Sequence, residues 1–267
     1  MTLILKPAVA AIALVSAAMV QAQNADGEPS TTRAAPRTVL AILAHPDDEL
    51  TVAPVLARVA REGGAVTLIY ATSGDAGPGT SGLDRADDIA TMRTKEGRCA
   101  ARALGLGEPV FWELSDGALA TMARAPGSAA KRAVTLTRDA IAAAKPDAVI
   151  TWGPDGGYGH ADHRMISAIV SQAVAGIDRE RPELLYAAFV QGEGRGVPGF
   201  ENWAVTASDL VTDTIAYSVA DLDAAQAAMR CYESQFPLAA RRGLMRALDG
   251  QVWRGAIPFR RAFSAPH

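Results

Sequence analysis

Positive charge is not in excess in this 267-residue chain. The 26 Lys and Arg set against 29 Asp and Glu give a net charge of −3 and a pI near 5.8. That leaves no basic footprint for nucleic acid. No internal repeat, heptad or low-complexity tract is present, so solenoid and coiled-coil readings fall away. The glycine-rich stretch Ser73 to Gly82 has neither the Lys-Ser/Thr of a P-loop nor a dinucleotide fingerprint, which disfavours a nucleotide-binding Rossmann protein. It reads instead as a mobile loop at the mouth of a site. Cysteine is limited to Cys99 and Cys231, and neither has a nearby histidine to make it a nucleophile. Both fall in helical-looking segments, and a disulfide and two buried free thiols both stay open.

The first 22 residues read as a signal peptide. Lys6 supplies the positive end, Pro7 to Val20 the apolar stretch, and Val20-Gln21-Ala22 the small residues before a cut at Gln23. An uncleaved membrane anchor is the alternative, weakened by the shortness of the run. No cysteine follows the cut, which argues against a lipid anchor. Residues 23–36 read as a disordered leader. The expectation is an exported, periplasmic or secreted, protein with one domain over 37–267, made of enough apolar residues (49%) for a single core.

Within that domain, β-branched apolar runs alternate with segments of helical periodicity. Strands are expected at 38–43, 66–71, 110–114, 148–152 and 184–190, and helices at 50–61, 87–104, 131–144, after Asp162 as N-cap, and at 221–235. Residues 192–217 look irregular, with an added antiparallel strand around 203–205. Strand–helix alternation gives the fold class: α/β, a three-layer α/β/α sandwich on a Rossmann-like, mostly parallel sheet.

The chemistry gathers where strands end. Of four histidines, His45, His160 and His163 lie directly after the first and fourth expected strands, each beside aspartates; the fourth is the terminal His267. Ligands bind at the carboxyl ends of strands in open α/β sheets. Two histidines and a carboxylate with one open position are what a catalytic zinc needs. His45 and either Asp47 or Asp48 supply two ligands, and His160 or His163 the third. The remaining aspartate then faces the attacking water as general base, and the remaining histidine faces the substrate. Each motif alone reads equally well as a capped turn. Glu49 is most simply a partner for a helix N-terminus, with a contact to His45 as the sharper option. Trp112, Trp152 and Trp253 read as core, and Asp155 as either a site or a turn residue.

Ala44-His45-Pro46-Asp47-Asp48-Glu49 and Tyr158-Gly159-His160-Ala161-Asp162-His163, in this order, resemble the LmbE/PIG-L family of zinc-dependent N-acetylglucosamine deacetylases. Thr72 to Gly77, Arg93-Thr94-Lys95-Glu96, Asp116-Gly117 and Ser234-Gln235 extend the likeness. The resemblance implies an LmbE-like fold with Zn2+, or another divalent metal, on His45, Asp48 and His163. It makes Asp47 the general base and puts His160, protonated, at the oxyanion and leaving group. Asp162 orients His160, Tyr158 polarises the carbonyl, and Arg93 and Asp116 hold sugar hydroxyls. Ala161 stands where many members carry proline, which removes no functional group.

The expected activity is removal of an N-acetyl group from an N-acetylglucosamine-type sugar or glycoconjugate. A metal-dependent amidase or esterase acting on a non-sugar acyl substrate is the nearer alternative. A non-catalytic zinc- or carbohydrate-binding module is the further one, and the intact Asp47 and His160 argue against it. The expected partner is a small-molecule or glycan substrate, with no nucleic acid and no stable membrane anchor after signal cleavage.

Overall fold

The computed structural model of the chain describes residues 31–194 and 196–263. The expected signal peptide, residues 23–30 of the leader, and His267 lie outside the described residues. Among the described residues eight strands form one sheet: β1 (Thr31–Arg33), β2 (Thr38–Leu43), β3 (Ala65–Thr72), β4 (Val110–Leu114), β5 (Ala148–Thr151), β6 (Glu183–Ala187), β7 (Asp213–Ala216) and β8 (Ala256–Arg261). Their order across the sheet is β1-β7-β8-β6-β5-β2-β3-β4. All pairs are parallel except those of β8, which runs antiparallel to both β6 and β7.

β2 is central because its sequence has no polar face to show to water. From Val39 to Leu43 every residue is buried, as expected of a parallel strand covered on both sides. Leu40 lies beside Thr67 of β3 on one flank and Val149 of β5 on the other. The chain therefore leaves β2 in one direction along the sheet and returns to its other side as β5. That reversal places the loops after β2 and β5 next to each other at the carboxyl edge, where a crevice forms.

Among the described residues six α-helices cover the sheet: α1 (Ala53–Arg61), α2 (Ala86–Ala103), α3 (Ala129–Ala144), α4 (Ala161–Ala175), α5 (Val219–Cys231) and α6 (Leu238–Leu248). α1 and α2 pack against α5, which carries α6, while α3 and α4 pack together. A capping box closes the start of α5: Ser218 accepts from the Asp221 backbone N–H, and Asp221 accepts from that of Ser218. Cys99 of α2 and Cys231 at the end of α5 are joined by a disulfide, with Cα atoms 5.8 Å apart.

Several expectations change here. Residues 31–33, read as leader, are an edge strand paired with β7. The strand expected at 203–205 is absent; that region contributes only a bridge between Val190 and Thr206. The antiparallel strand is β8, and β7 and α6 also appear where no element was expected. β8 contains Pro258 and two arginines, a composition that reads against a sheet interior. The Arg-Arg-Gly inside α6 likewise hides its helical period. The N-cap of α4 is His160 rather than Asp162.

Candidate metal and catalytic site

The turn after β2 carries the first half of the site. Asp47 sits at φ 110°, in the left-handed region, and begins a short 3-10 turn over Asp48–Thr51. A non-glycine residue there is strained, and such strain persists only where the surroundings hold it. What holds it is Glu49, fully buried, whose Oε2 accepts from the Asp47 N–H at 3.1 Å and the Tyr70 hydroxyl at 2.8 Å. Its Oε1 accepts from the Tyr232 hydroxyl at 2.6 Å. Burial without a cationic partner, only partly offset by the two tyrosines, pushes Glu49 up to about 7. Glu49 is thus neither a simple helix-end charge nor a contact of His45. It clamps the backbone of the adjacent aspartates.

Asp48 and the two histidines form a triangle. Asp48 Oδ2 accepts from the backbone N–H of Ala44 (2.9 Å) and His45 (3.0 Å) and from Trp152 Nε1 (2.8 Å). Its other oxygen, Oδ1, lies 3.1 Å from His163 Nε2. His45 Nδ1 is 3.1 Å from the same His163 Nε2 and 4.0 Å from Asp48 Oδ2. The outer nitrogens fix the tautomers. His45 Nε2 faces Asp116 Oδ1 at 2.9 Å and Asp162 Oδ2 at 3.7 Å, and so carries a proton. His163 Nδ1 donates to the Gly156 carbonyl at 3.2 Å. In their neutral forms the two imidazoles therefore turn lone pairs towards each other and the Asp48 carboxylate. Two of these separations, 3.1 Å each, are close to the roughly 3.3 Å between ligand atoms of a tetrahedral zinc, and the His45–Asp48 side is wider, 4.0 Å to Oδ2. The donor set fits a divalent cation, and each histidine is backed by an oxygen acceptor, as metal ligands usually are. Burial lowers His45, but Asp116, Asp162 and Asp48 outweigh it and push the ring up to about 10. Burial raises Asp48, and His163, His45 and Trp152 overcome that to hold it well below the usual carboxylate range.

His45, Asp116 and Asp162 form a second close group, and His45, His160 and His163 a third. Asp116 and Asp162 stand on the far, Nε2 side of His45, where they orient the ring. Asp162 Oδ2 also accepts from the Gly117 N–H at 2.7 Å. The expected pairing of the Asp162 side chain with His160 is replaced: it is the Asp162 backbone N–H that donates to His160 Nδ1, at 3.2 Å. His160 is half-buried beside both other rings, with centroids 4.7 Å from each. Burial, then the charges of His45 and His163, hold it below the ordinary histidine range. Each of these favours the neutral ring.

Asp47 lies alongside, half-buried. Its Oδ2 pairs with Arg93 Nη2 at 3.2 Å, and Arg93 also donates to the carbonyls of Pro46 (2.6 Å) and Gly74 (3.4 Å). Arg93 is only 4% exposed. The residues expected to hold sugar hydroxyls are thus turned to other partners, Arg93 to Asp47 and Asp116 to His45. Burial pushes Asp47 up to about 6, with Arg93 pulling down and Asp48 pushing up. Gly74 leaves the room this needs: at its φ of +68°, a Cβ would lie 2.4 Å from Arg93 Nη1.

The glycine-rich loop is pinned rather than free. The Thr80 N–H donates to the Ser234 carbonyl at 2.6 Å and Gln235 Nε2 to the Gly77 carbonyl at 3.1 Å, while Gly79 packs so closely on Ser234 that a Cβ would meet its carbonyl oxygen at 2.0 Å. Asp155 is a turn residue, its Oδ1 accepting from the Gly157 N–H. Tyr158 is 52% exposed, with its ring 5.3 Å from His163 and 5.9 Å from His160. Partial burial and the carboxylates of Asp48 and Asp47 hold its hydroxyl above the usual tyrosine range, so it stays a donor. Trp152 is buried as expected of core, yet it stacks on His163 (4.3 Å, 9° between planes) and donates to Asp48. Only its place at a strand's carboxyl end could have given that away.

A mostly parallel α/β sheet with two histidines and an aspartate converging at its switch point, and a half-buried aspartate beside them, defines a site with the donor set and the base that a hydrolase needs. The family model for PIG-L, GlcNAc-PI de-N-acetylase, matches residues 40–174, and the chain belongs to that family. It is 30% identical over 233 residues to a 1D-myo-inositol 2-acetamido-2-deoxy-alpha-D-glucopyranoside deacetylase of Mycobacterium sp. (strain KMS), covering 76% of this chain and 75% of that one. Against curated deacetylases of the same name from Rhodococcus, the chain spans about half their length. Its fold is shared with N,N'-diacetylchitobiose deacetylase from Pyrococcus horikoshii (TM-score 0.59, 19% identity, 85% of this chain and 84% of that one). It is also shared with the 4-carboxy-2-hydroxymuconate hydratase of Pseudomonas putida (TM-score 0.62, 18% identity, 86% and 98%).

Proposed function

We propose that the chain is an exported, zinc-dependent hydrolase that removes an N-acyl group, acetyl in the simplest case, from an N-acetylglucosamine-type sugar or glycoconjugate. The observation that carries the reading is the triangle of His45 Nδ1, Asp48 Oδ1 and His163 Nε2 with Asp47 left out of it. The relatives' deacetylase names support the reaction class, and the disulfide supports an oxidising compartment. Those three residues would hold the metal. A zinc ion there supplies a Lewis acid and lowers the pKa of water towards about 7.

The chain's own residues do the rest. Asp47, raised towards neutrality, takes a proton from the attacking water on its Oδ1, because Oδ2 is engaged by Arg93. Arg93 and the Glu49 clamp fix the direction in which that oxygen points. Tyr158 donates its hydroxyl proton towards the carbonyl oxygen as charge develops; one such donor contributes about 3 kcal/mol. His160 is held by the Asp162 N–H at Nδ1, so its Nε2–H faces the departing amine as a hydrogen-bond donor, and the proton the amine takes as it leaves is the one Asp47 removed from the water.

Metal analysis paired with acetate release from a panel of N-acetyl sugars tests the reading. Asp47→Ala should keep its metal and lose turnover by about 10²-fold or more, whereas His163→Ala should lose the metal. Wild-type turnover in Asp47→Ala would sink the mechanism. One observation favours a second reading, an amidase or esterase on a non-sugar acyl substrate: Arg93 and Asp116 are committed to Asp47 and His45 rather than open to hydroxyls. Turnover of simple N-acyl amines as fast as N-acetyl sugars would select it.

A further inference from the structure

A cavity of about 1070 Å³ opens beside Asp47 and Asp48, and apart from those two carboxylates its walls are mostly apolar. One wall is aromatic and continuous. Phe200 stacks on Trp203 at 4.5 Å, Phe189 meets Trp203 edge-on at 4.6 Å, and Trp203 reaches Tyr158 (5.6 Å) and Trp152 (5.9 Å), which lies on His163. The opposite wall is α6 with Phe236, where Ala240, Gly243 and Leu244 face the cavity. Gly243 has nothing within 4 Å of where a Cβ would stand, so the space is open up to the helix backbone. An acetyl group fills little of such a volume. A sugar would bury hydroxyls here among few partners, at a cost of about 1 to 3 kcal/mol each.

Resting on the hydrolase reading above, we propose that this cavity holds the acyl chain of the substrate, and that the chain favours amides of medium-length alkanoic acids over acetamides. The side of the site it opens on selects the acyl arm over the amine arm. Asp47, Asp48 and Tyr158 line the cavity, whereas His160 and Asp116 do not. The base and the carbonyl donor thus stand at its inner end, and the histidine that serves the leaving amine stands outside it. The amine and whatever it carries leave past His160, and the alkyl tail runs from the carbonyl carbon along Trp203 towards α6. The reaction is the same hydrolysis: water adds to the carbonyl, the C–N bond breaks, and a fatty acid leaves with the free amine.

Rates on N-acetyl-, N-butyryl- and N-hexanoylglucosamine test this, with octyl N-acetylglucosaminide as a probe carrying its alkyl tail on the other arm. Each buried methylene contributes up to about fourfold, so kcat/KM for N-hexanoyl should exceed that for N-acetyl by about tenfold or more. Gly243→Leu and Ala240→Leu each put a side chain into the cavity from a helix that gains in propensity or loses little, and each should cut that ratio by about fivefold or more. Binding of octanohydroxamate against acetohydroxamate to the zinc-loaded protein, measured by calorimetry, reads the cavity without turnover and should favour the longer chain by about tenfold or more. N-acetyl hydrolysis with no gain for N-hexanoyl overturns the proposal, as does a gain confined to the octyl glycoside. Tight octanohydroxamate binding with no hydrolysis of any substrate would leave the cavity assignment standing and overturn the hydrolase reading instead.

Discussion

Trp152 shows how one side chain can belong to the core and the site together. Its ring fills the space under His163, and its indole N–H is one of three donors holding Asp48 Oδ2 away from the triangle. Trp152→Phe keeps an aromatic ring against His163 and removes only the donor. Metal affinity should then fall about 10- to 100-fold, read by competition with a chelator, while the fold is retained. Unchanged affinity would mean that stacking alone supports the ligands. The same residue marks the limit of sequence reading. That His45 meets a histidine from the segment after β5 was legible because histidine is scarce and both segments follow strands of the sheet; the choice of Asp48 over Asp47 and of His163 over His160 came from the family resemblance alone. Trp152, Glu49 and Arg93 were not legible, because their roles come from partners distant in sequence: Tyr232 for Glu49, Asp47 for Arg93. Burial looks alike for a packed ring and for a donor.

At the scale of elements, the sheet divides into a half that patterning reveals and a half that it hides. β2, β3 and β5 announce themselves as apolar runs because both their faces are covered. β1, β7 and β8 do not, because polar side chains tie them together. Asp213 of β7, 1% exposed, accepts two hydrogen bonds from Arg261 of β8 and faces Arg33 of β1 at 3.5 Å. Burial would raise its pKa, but Arg261, Thr212 and Arg33 together hold it below the ordinary range. A carboxyl whose folded pKa is depressed stabilises the fold above its unfolded value of about 3.9 and loses that contribution as pH falls through the folded one. Asp213→Asn should therefore cost about 2 kcal/mol at pH 7. The deficit should shrink towards zero on acidification below about pH 4, as measured by urea midpoints at both ends of the range. A constant deficit would assign the loss to packing.

For the molecule as a whole, the Cys99–Cys231 bond closes a loop across 132 positions and fastens α2 to the end of α5. Closing so long a loop restricts the unfolded chain by up to about 5 kcal/mol in the entropic account. Reduction should lower the melting temperature by roughly 10 °C, checked by calorimetry with and without a phosphine reductant. An unchanged melting point would show that the helix packing alone holds this corner. Sequence left the two thiols open because pairing depends on Cα separation, which only the packing of α2 on α5 sets.

The adjacency of β2 and β5 has a consequence for how the protein folds. His45 and His163 are 118 positions apart, and they meet only after a strand returns to the far flank of the central one. Long-range parallel pairing of this kind is slow to form. A cation that needs both rings finds no complete site in the unfolded chain, so its binding energy is added wholly to the native state. Ligation would thus serve as a clock for the chain's maturation, striking only once the sheet has closed around its own midline.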